Sequence, residues 1–194
     1  ITLLLIALLR LTACAAETTW APDEAVTKAH VVTSNPPTLT LITVINVDSG
    51  NGGHSALLVD ASQRVLFDPA GSFYHPHLPE RNDVVYGMTD RAVDFFIDYH
   101  SRESWRVVRQ DLVVSPEVAE RALALVQSNG AVPKAFCANS ISQVLRQLPG
   151  FDGMSSTMFP VALMRQFAKF PGIVTNEYHD MDTDNNGQLI ARGI

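Results

Sequence analysis

Disulfide chemistry is almost absent from this chain. Its 194 residues contain two cysteines, Cys14 near the start and Cys137 in the body. If the protein is exported, Cys137 has no internal partner once Cys14 is engaged elsewhere, so stability must come from a hydrophobic core. Dense basic clusters are missing too. Lys and Arg number 14 against 20 Asp and Glu, for a net charge of -6, which excludes nucleic acid as the main partner. Internal repeats and low-complexity tracts are lacking as well. Apolar runs are short: the opening "ITLLLIALL" is interrupted by Arg10, far below the roughly 20 apolar residues that cross a bilayer. The length suits one domain.

What is present begins with that leader. An apolar run followed by small residues is the pattern of a secretory signal. No basic segment precedes Ile1, so the natural start is expected upstream. Leu11-Thr12-Ala13-Cys14 resembles the lipobox of bacterial lipoproteins. That resemblance implies cleavage before Cys14, lipidation of Cys14 and a domain held at the cell envelope by acyl chains, each buried CH₂ contributing about 0.8 kcal/mol. Ala15 follows the cysteine where Asp would redirect sorting, which by the same resemblance favours the outer membrane in a Gram-negative cell. The plain alternative is a signal peptide whose cysteine is incidental.

Residues 1–13 therefore read as a signal, 14–37 as a polar tether, 38–174 as one domain and 175–194 as a polar tail. Within the domain, "TLTLITVINV" (38–47) alternates β-branched and apolar residues and predicts a strand. "DSGNGG" (48–53) is a turn-rich loop, and "HSALLVD" and "QRVLFD" predict a hairpin turning at Ala61-Ser62. A long loop follows, then a short strand at "VVYGM", a helix over 90–102 and a strand over 104–114. Ser115-Pro116-Glu117 opens a helix with a cap hydroxyl, proline in the first turn and an acid against the dipole. Helices are also predicted over 134–148 and 159–170. The fold class is α+β, an antiparallel sheet packed against helices.

The chemistry centres on "KAFCANSISQVLRQL" (134–148). Cys137, Ile141, Val144, Leu145 and Leu148 fall on one helical stripe, with the thiol in the first turn. Unpaired N–H groups and the helix dipole there favour a thiolate and could later hold an oxyanion. A buried, inert cysteine would occupy the same stripe. His54 opens an apolar strand directly after Gly52-Gly53, an unusual place for a core histidine, and could exchange a proton with the thiol. Asp68 ends the paired strand near the same open end of the hairpin, where a carboxylate could hold the other ring nitrogen. Asp68-Pro69-Ala70-Gly71 is also an ordinary strand-ending turn.

In the order "GHSALLVD", "RVLFDPAG" and "FCANSISQVL", the chain resembles the circularly permuted NlpC/P60 superfamily of papain-like thiol enzymes, to which lecithin:retinol acyltransferase belongs. The resemblance covers roughly residues 40 to 150. It implies a permuted papain-like architecture, with Cys137 as nucleophile, His54 as base and Asp68 at the third polar position. It implies acyl transfer through a thioester on an amide or ester, drawn from cell-wall peptide or lipid, with no cofactor required.

Two other motifs carry metal-ligand residue types. "DTDNNGQL" (182–189) fits the first half of a calcium loop, with Asp182, Asp184 and Asn186 at positions 1, 3 and 5 and Gly187 at 6. Position 12 would be Gly193 rather than a bidentate Glu, and no following helix is expected, so Ca²⁺ binding would need Asp180 or Glu177. A polar turn explains the segment equally. His75-Pro76-His77 resembles a metal pair but lacks a third partner. Tyr99, His100 and Trp105 either line the same cleft as His54 or form a packed helix-to-strand corner. The rival to a thiol enzyme is a membrane-tethered binding domain whose cysteine is buried or vestigial.

Overall fold

The structure, a computed structural model, describes residues 16 and 18–192. The leader, Cys14 and Gly193 lie outside these residues. The architecture is α+β: a seven-stranded antiparallel sheet in the order β4-β5-β3-β2-β1-β6-β7, with helices on both faces. The two central strands are β1 (Thr38–Asn46) and β2 (Gly52–Asp60), and both are apolar enough to be covered on either side. β3 (Arg64–Phe67), β4 (Glu80–Arg81) and β5 (Val84–Val85) extend the sheet one way. β6 (Trp105–Val113) and β7 (Val174–Tyr178) extend it the other.

Strand alternation divides the core. Leu39, Leu41, Leu57, Val59 and Phe67 face α3 (Pro116–Ser128), α4 (Cys137–Leu145) and α5 (Pro160–Phe167). Ile42, Val44, Ala56, Leu58 and Leu66 face α2 (Asp90–His100). Period-two side chains thus feed two cores from one sheet. Serving both faces is what lets β2 present one residue toward α2 while its backbone edge meets α4.

Three differences from the sequence expectations concern the ends of the chain. The stretch expected as a tether contains α1 (Asp23–Lys28), and Trp20 bridges Arg81 and stacks under its guanidinium 4.7 Å from the ring centre. Arg81 also reaches the Asp23 carboxylate, so a cation in the body fastens this segment. The polar tail expected from residue 175 contributes the edge strand β7, paired along β6 from Val107↔Tyr178 to Asp111↔Val174. A short helix, α6 (Gly187–Arg192), then follows, and Leu189 is buried in the α2-side core. No helix among the described residues is long and apolar enough to cross a membrane.

Candidate active site

The site forms where β3 ends and β2 continues. The β2–β3 ladder pairs Asp60↔Arg64 through Leu57↔Phe67 and then stops. The next inward-bonding position on β3's path is Pro69, which has no N–H to donate. Asp68-Pro69-Ala70-Gly71 closes a turn through Gly71 N–H to Asp68 O at 3.0 Å, with Ala70 at φ 58°. The backbone of β2 at Ser55 is thereby left open, and the first turn of α4 occupies that gap.

His54 owes its placement to an irregularity. Val44 pairs with His54 and Ile45 with Gly52, so Gly53 has no partner and the strand bulges. A bulge re-aims the neighbouring side chain. Glycine is needed here because a Cβ on Gly53 would sit 2.5 Å from the Trp105 ring, and one on Gly52 2.6 Å from Pro160 Cβ. Gly71 is constrained likewise, since a Cβ there would collide with the Asp68 carboxylate.

His54 Nε2 donates to Asp68 Oδ1 at 2.6 Å, with the imidazole 15% exposed and the carboxylate 4%. This contact leaves Nδ1 for the thiol. Burial opposes charge on the ring, but Asp68 and the hydrogen bond with Cys137 outweigh it, and the pKa of His54 is pushed up to about 10. Burial would likewise push the Cys137 thiol up. The hydrogen bond and charge of His54, aided by N–H groups of Ser55 and Ala138, reverse this and hold the thiol below its ordinary value. The two shifts share one cause, the attraction between an imidazolium and a thiolate, which favours the charged form of each group.

The helix terminus that carries the thiol is uncapped. Thr89 and Ser115 accept first-turn N–H bonds in α2 and α3, whereas Phe136 at the N-cap of α4 offers no side-chain bond. Those N–H groups remain for the sulfur and for any oxyanion formed beside it. Ala135, at φ 69°, turns the chain sharply into the helix.

Asp83 braces the arrangement, and the sequence reading missed it. Its carbonyl accepts the Asp68 N–H at 2.8 Å and its carboxylate accepts Val132 N–H at 2.7 Å. One residue therefore ties the turn carrying Asp68 to the loop entering α4. Burial raises its pKa despite those bonds. Its only sequence signal was Asn82-Asp83, a pair suited to the left-handed φ of 44° and 67° found there.

A cavity of about 450 Å³ opens beside the pair. Its walls include His54, Tyr99, His100, Trp105 and Lys134, with Asp184 and Asn186 contributed by the C-terminal segment. Cys137, 6% exposed, lies behind His54 rather than on the wall. Tyr99, His100 and Trp105 thus line the cleft and also pack the corner.

The remaining motif residues go elsewhere. Asp182 pairs with Arg102 at 3.3 Å, Asp184 Oδ1 accepts Ser104 N–H at 3.4 Å, and helix α6 starts at Gly187 within the calcium-like pattern. Among the described residues, no group of three or more His, Cys, Asp or Glu side chains is disposed to hold a metal ion. His75 Nδ1 accepts the His77 N–H at 3.2 Å, and both line a different groove, against α1. No family model, curated protein or solved structure matches the chain.

Proposed function

We propose that the protein is a papain-like thiol hydrolase or acyltransferase of circularly permuted NlpC/P60 type, forming a thioester on Cys137. One observation carries this reading: a thiol at an uncapped helix N-terminus shares a hydrogen bond with His54, whose other ring nitrogen is held by a buried carboxylate. The thiolate adds to the carbonyl carbon of an amide or ester. Negative charge moves to the carbonyl oxygen, where first-turn N–H groups of α4 receive it. The tetrahedral intermediate collapses by breaking the bond to the leaving group, which takes the proton from His54 Nδ1. Neutral His54 then deprotonates water or another acceptor, which attacks the thioester and releases Cys137 as thiolate. Asp68 keeps the ring oriented and stabilises its charged form throughout.

The same reading puts the domain at a bacterial cell envelope, anchored through Cys14, with cell-wall peptide or lipid as substrate. Radiolabelled fatty acid incorporated by wild type but not by Cys14→Ser supports the anchor; incorporation by both removes it. For the activity, folded Cys137 should react with iodoacetamide quickly between pH 6 and 7, and His54→Ala should slow it. A thiol that reacts only after unfolding refutes the enzyme. A second reading, a binding domain with a buried cysteine, is favoured by the position of Cys137 behind the cavity wall.

A further inference from the structure

A second imidazole stands beside the first. His100 ends α2, and its ring stacks on His54 with centroids 5.9 Å apart and planes inclined by 17°. Phe96 at 4.4 Å, Tyr99 at 4.9 Å and Phe73 at 6.4 Å surround the same ring. This aromatic collar leaves the imidazole little freedom to turn.

Its tautomer follows from one contact. His100 Nδ1 lies 2.9 Å from the carbonyl oxygen of Phe96. A carbonyl only accepts, so Nδ1 must carry the hydrogen. In a neutral ring the other nitrogen, Nε2, then carries a lone pair. Nε2 has no partner among the described residues, and the ring lines the cavity beside His54.

The charge state agrees with this geometry. Burial first, and then the positive charge of His54, lower the pKa of His100 to about 4, with Arg102 adding to the effect and Asp68 opposing it. Two stacked imidazoles cannot both hold a proton cheaply, and the carboxylate contact gives it to His54. His54 is the proton carrier, while His100 stays neutral across the working range. The Asp184 carboxylate and Asn186 stand on the same wall, as do the cationic side chains of Arg102 and Lys134.

We propose that His100 is a specificity-determining residue, whose Nε2 accepts a hydrogen bond from an N–H or O–H group on the acyl donor and thereby seats its carbonyl at Cys137. The proposal rests on the thiol-enzyme reading and sharpens its substrate class: acyl donors that carry a hydrogen-bond donor near the scissile carbonyl are selected over those that carry none. A site built to accept a hydrogen bond discriminates against an analogue that leaves its acceptor unpaired.

The test uses two chloroacetamides differing only by N-methylation, one with an N–H and one without, each normalised to its rate with free glutathione. Wild-type protein should label at Cys137 about five- to tenfold faster with the N–H reagent. His100→Phe keeps an aromatic ring but removes the acceptor; the ratio of its two normalised rates should fall to about one, whatever its absolute rate. His100→Gln restores an acceptor oxygen and should recover part of the preference. Thermal melting of each variant guards against misfolding, and His100→Leu, which also lacks an acceptor, serves if Phe does not fold. No preference in wild type, or a preference retained by His100→Phe, overturns this inference alone. Failure of both reagents to label folded protein overturns the thiol-enzyme reading and this inference with it.

Discussion

Two polar clusters, both visible as motifs in the sequence, end very differently. At the corner of β2, β3 and α4, residues from three separate elements converge on one sulfur, and each shift in proton affinity reinforces the next. In the C-terminal turn, Asp182, Asp184 and Asn186 are neighbours in sequence yet do not converge. Asp182 serves Arg102, Asp184 serves a backbone N–H, and Asn186 joins the cavity wall. A local pattern becomes a candidate site only when the fold aims its side chains at one point. The turn instead fastens the end of the chain over the cavity.

The sharpest way to break this contrast is to remove the sulfur. Cys137→Ala should abolish labelling and any trapped acyl group outright while costing about 1 kcal/mol of stability, as for a small buried side chain; intact-mass analysis and denaturant titration read both. Next is His54→Ala, which should slow alkylation near neutrality about a hundredfold or more, measured by stopped-time mass spectrometry. Asp68→Asn keeps the size but removes the charge that raises His54. Burial then pulls the ring's pKa down, the thiolate loses its cation, and the pH at which alkylation begins should move upward, with a rate loss near neutrality of about tenfold. The direction of that shift is the check. Gly53→Ala should cost about 1–3 kcal/mol by driving a methyl group into Trp105, seen as a lower Tm. Smallest is Asp182→Ala: labelling unchanged, stability lower by about 1 kcal/mol or less because its partner Arg102 retains Asp98. For calcium, a Tm gain with millimolar Ca²⁺ in the wild type that Asp182→Ala abolishes would make the turn a cation site, and no gain in the wild type removes that reading.

Much of the frame was readable because its signals are local. Ser115 caps α3 as its Ser-Pro-Glu start predicts, and alternation along 38–47 gives β1. The β2–β3 turn falls within residues 61–63, close to the predicted Ala61-Ser62. β7 was hidden because "VTNEY" is exposed throughout, so an edge strand carried no alternation to detect. α6 was hidden by a turn-like sequence whose Leu189 finds its core only in three dimensions. At the site, His54, Asp68 and Cys137 were recognisable by residue type and element position. Their meeting depended on a bulge at Gly53 and a ladder ended by Pro69, both set by partners distant in sequence. His100 sat on an amphipathic helix at a core-like spacing, and only the Phe96 carbonyl gives it a defined tautomer, while the His54 ring stacks on it.

The proposed activity depends on the charge state of one pair, Cys137 and His54. Ultraviolet absorbance of the thiolate, taken as wild type minus Cys137→Ala across a pH titration, measures it directly. The expected result is a thiolate signal that rises below the pH range of an ordinary thiol and stays on its plateau while His54 loses its proton near pH 10. A thiolate that first appears at the pH of an ordinary, unassisted thiol would contradict it.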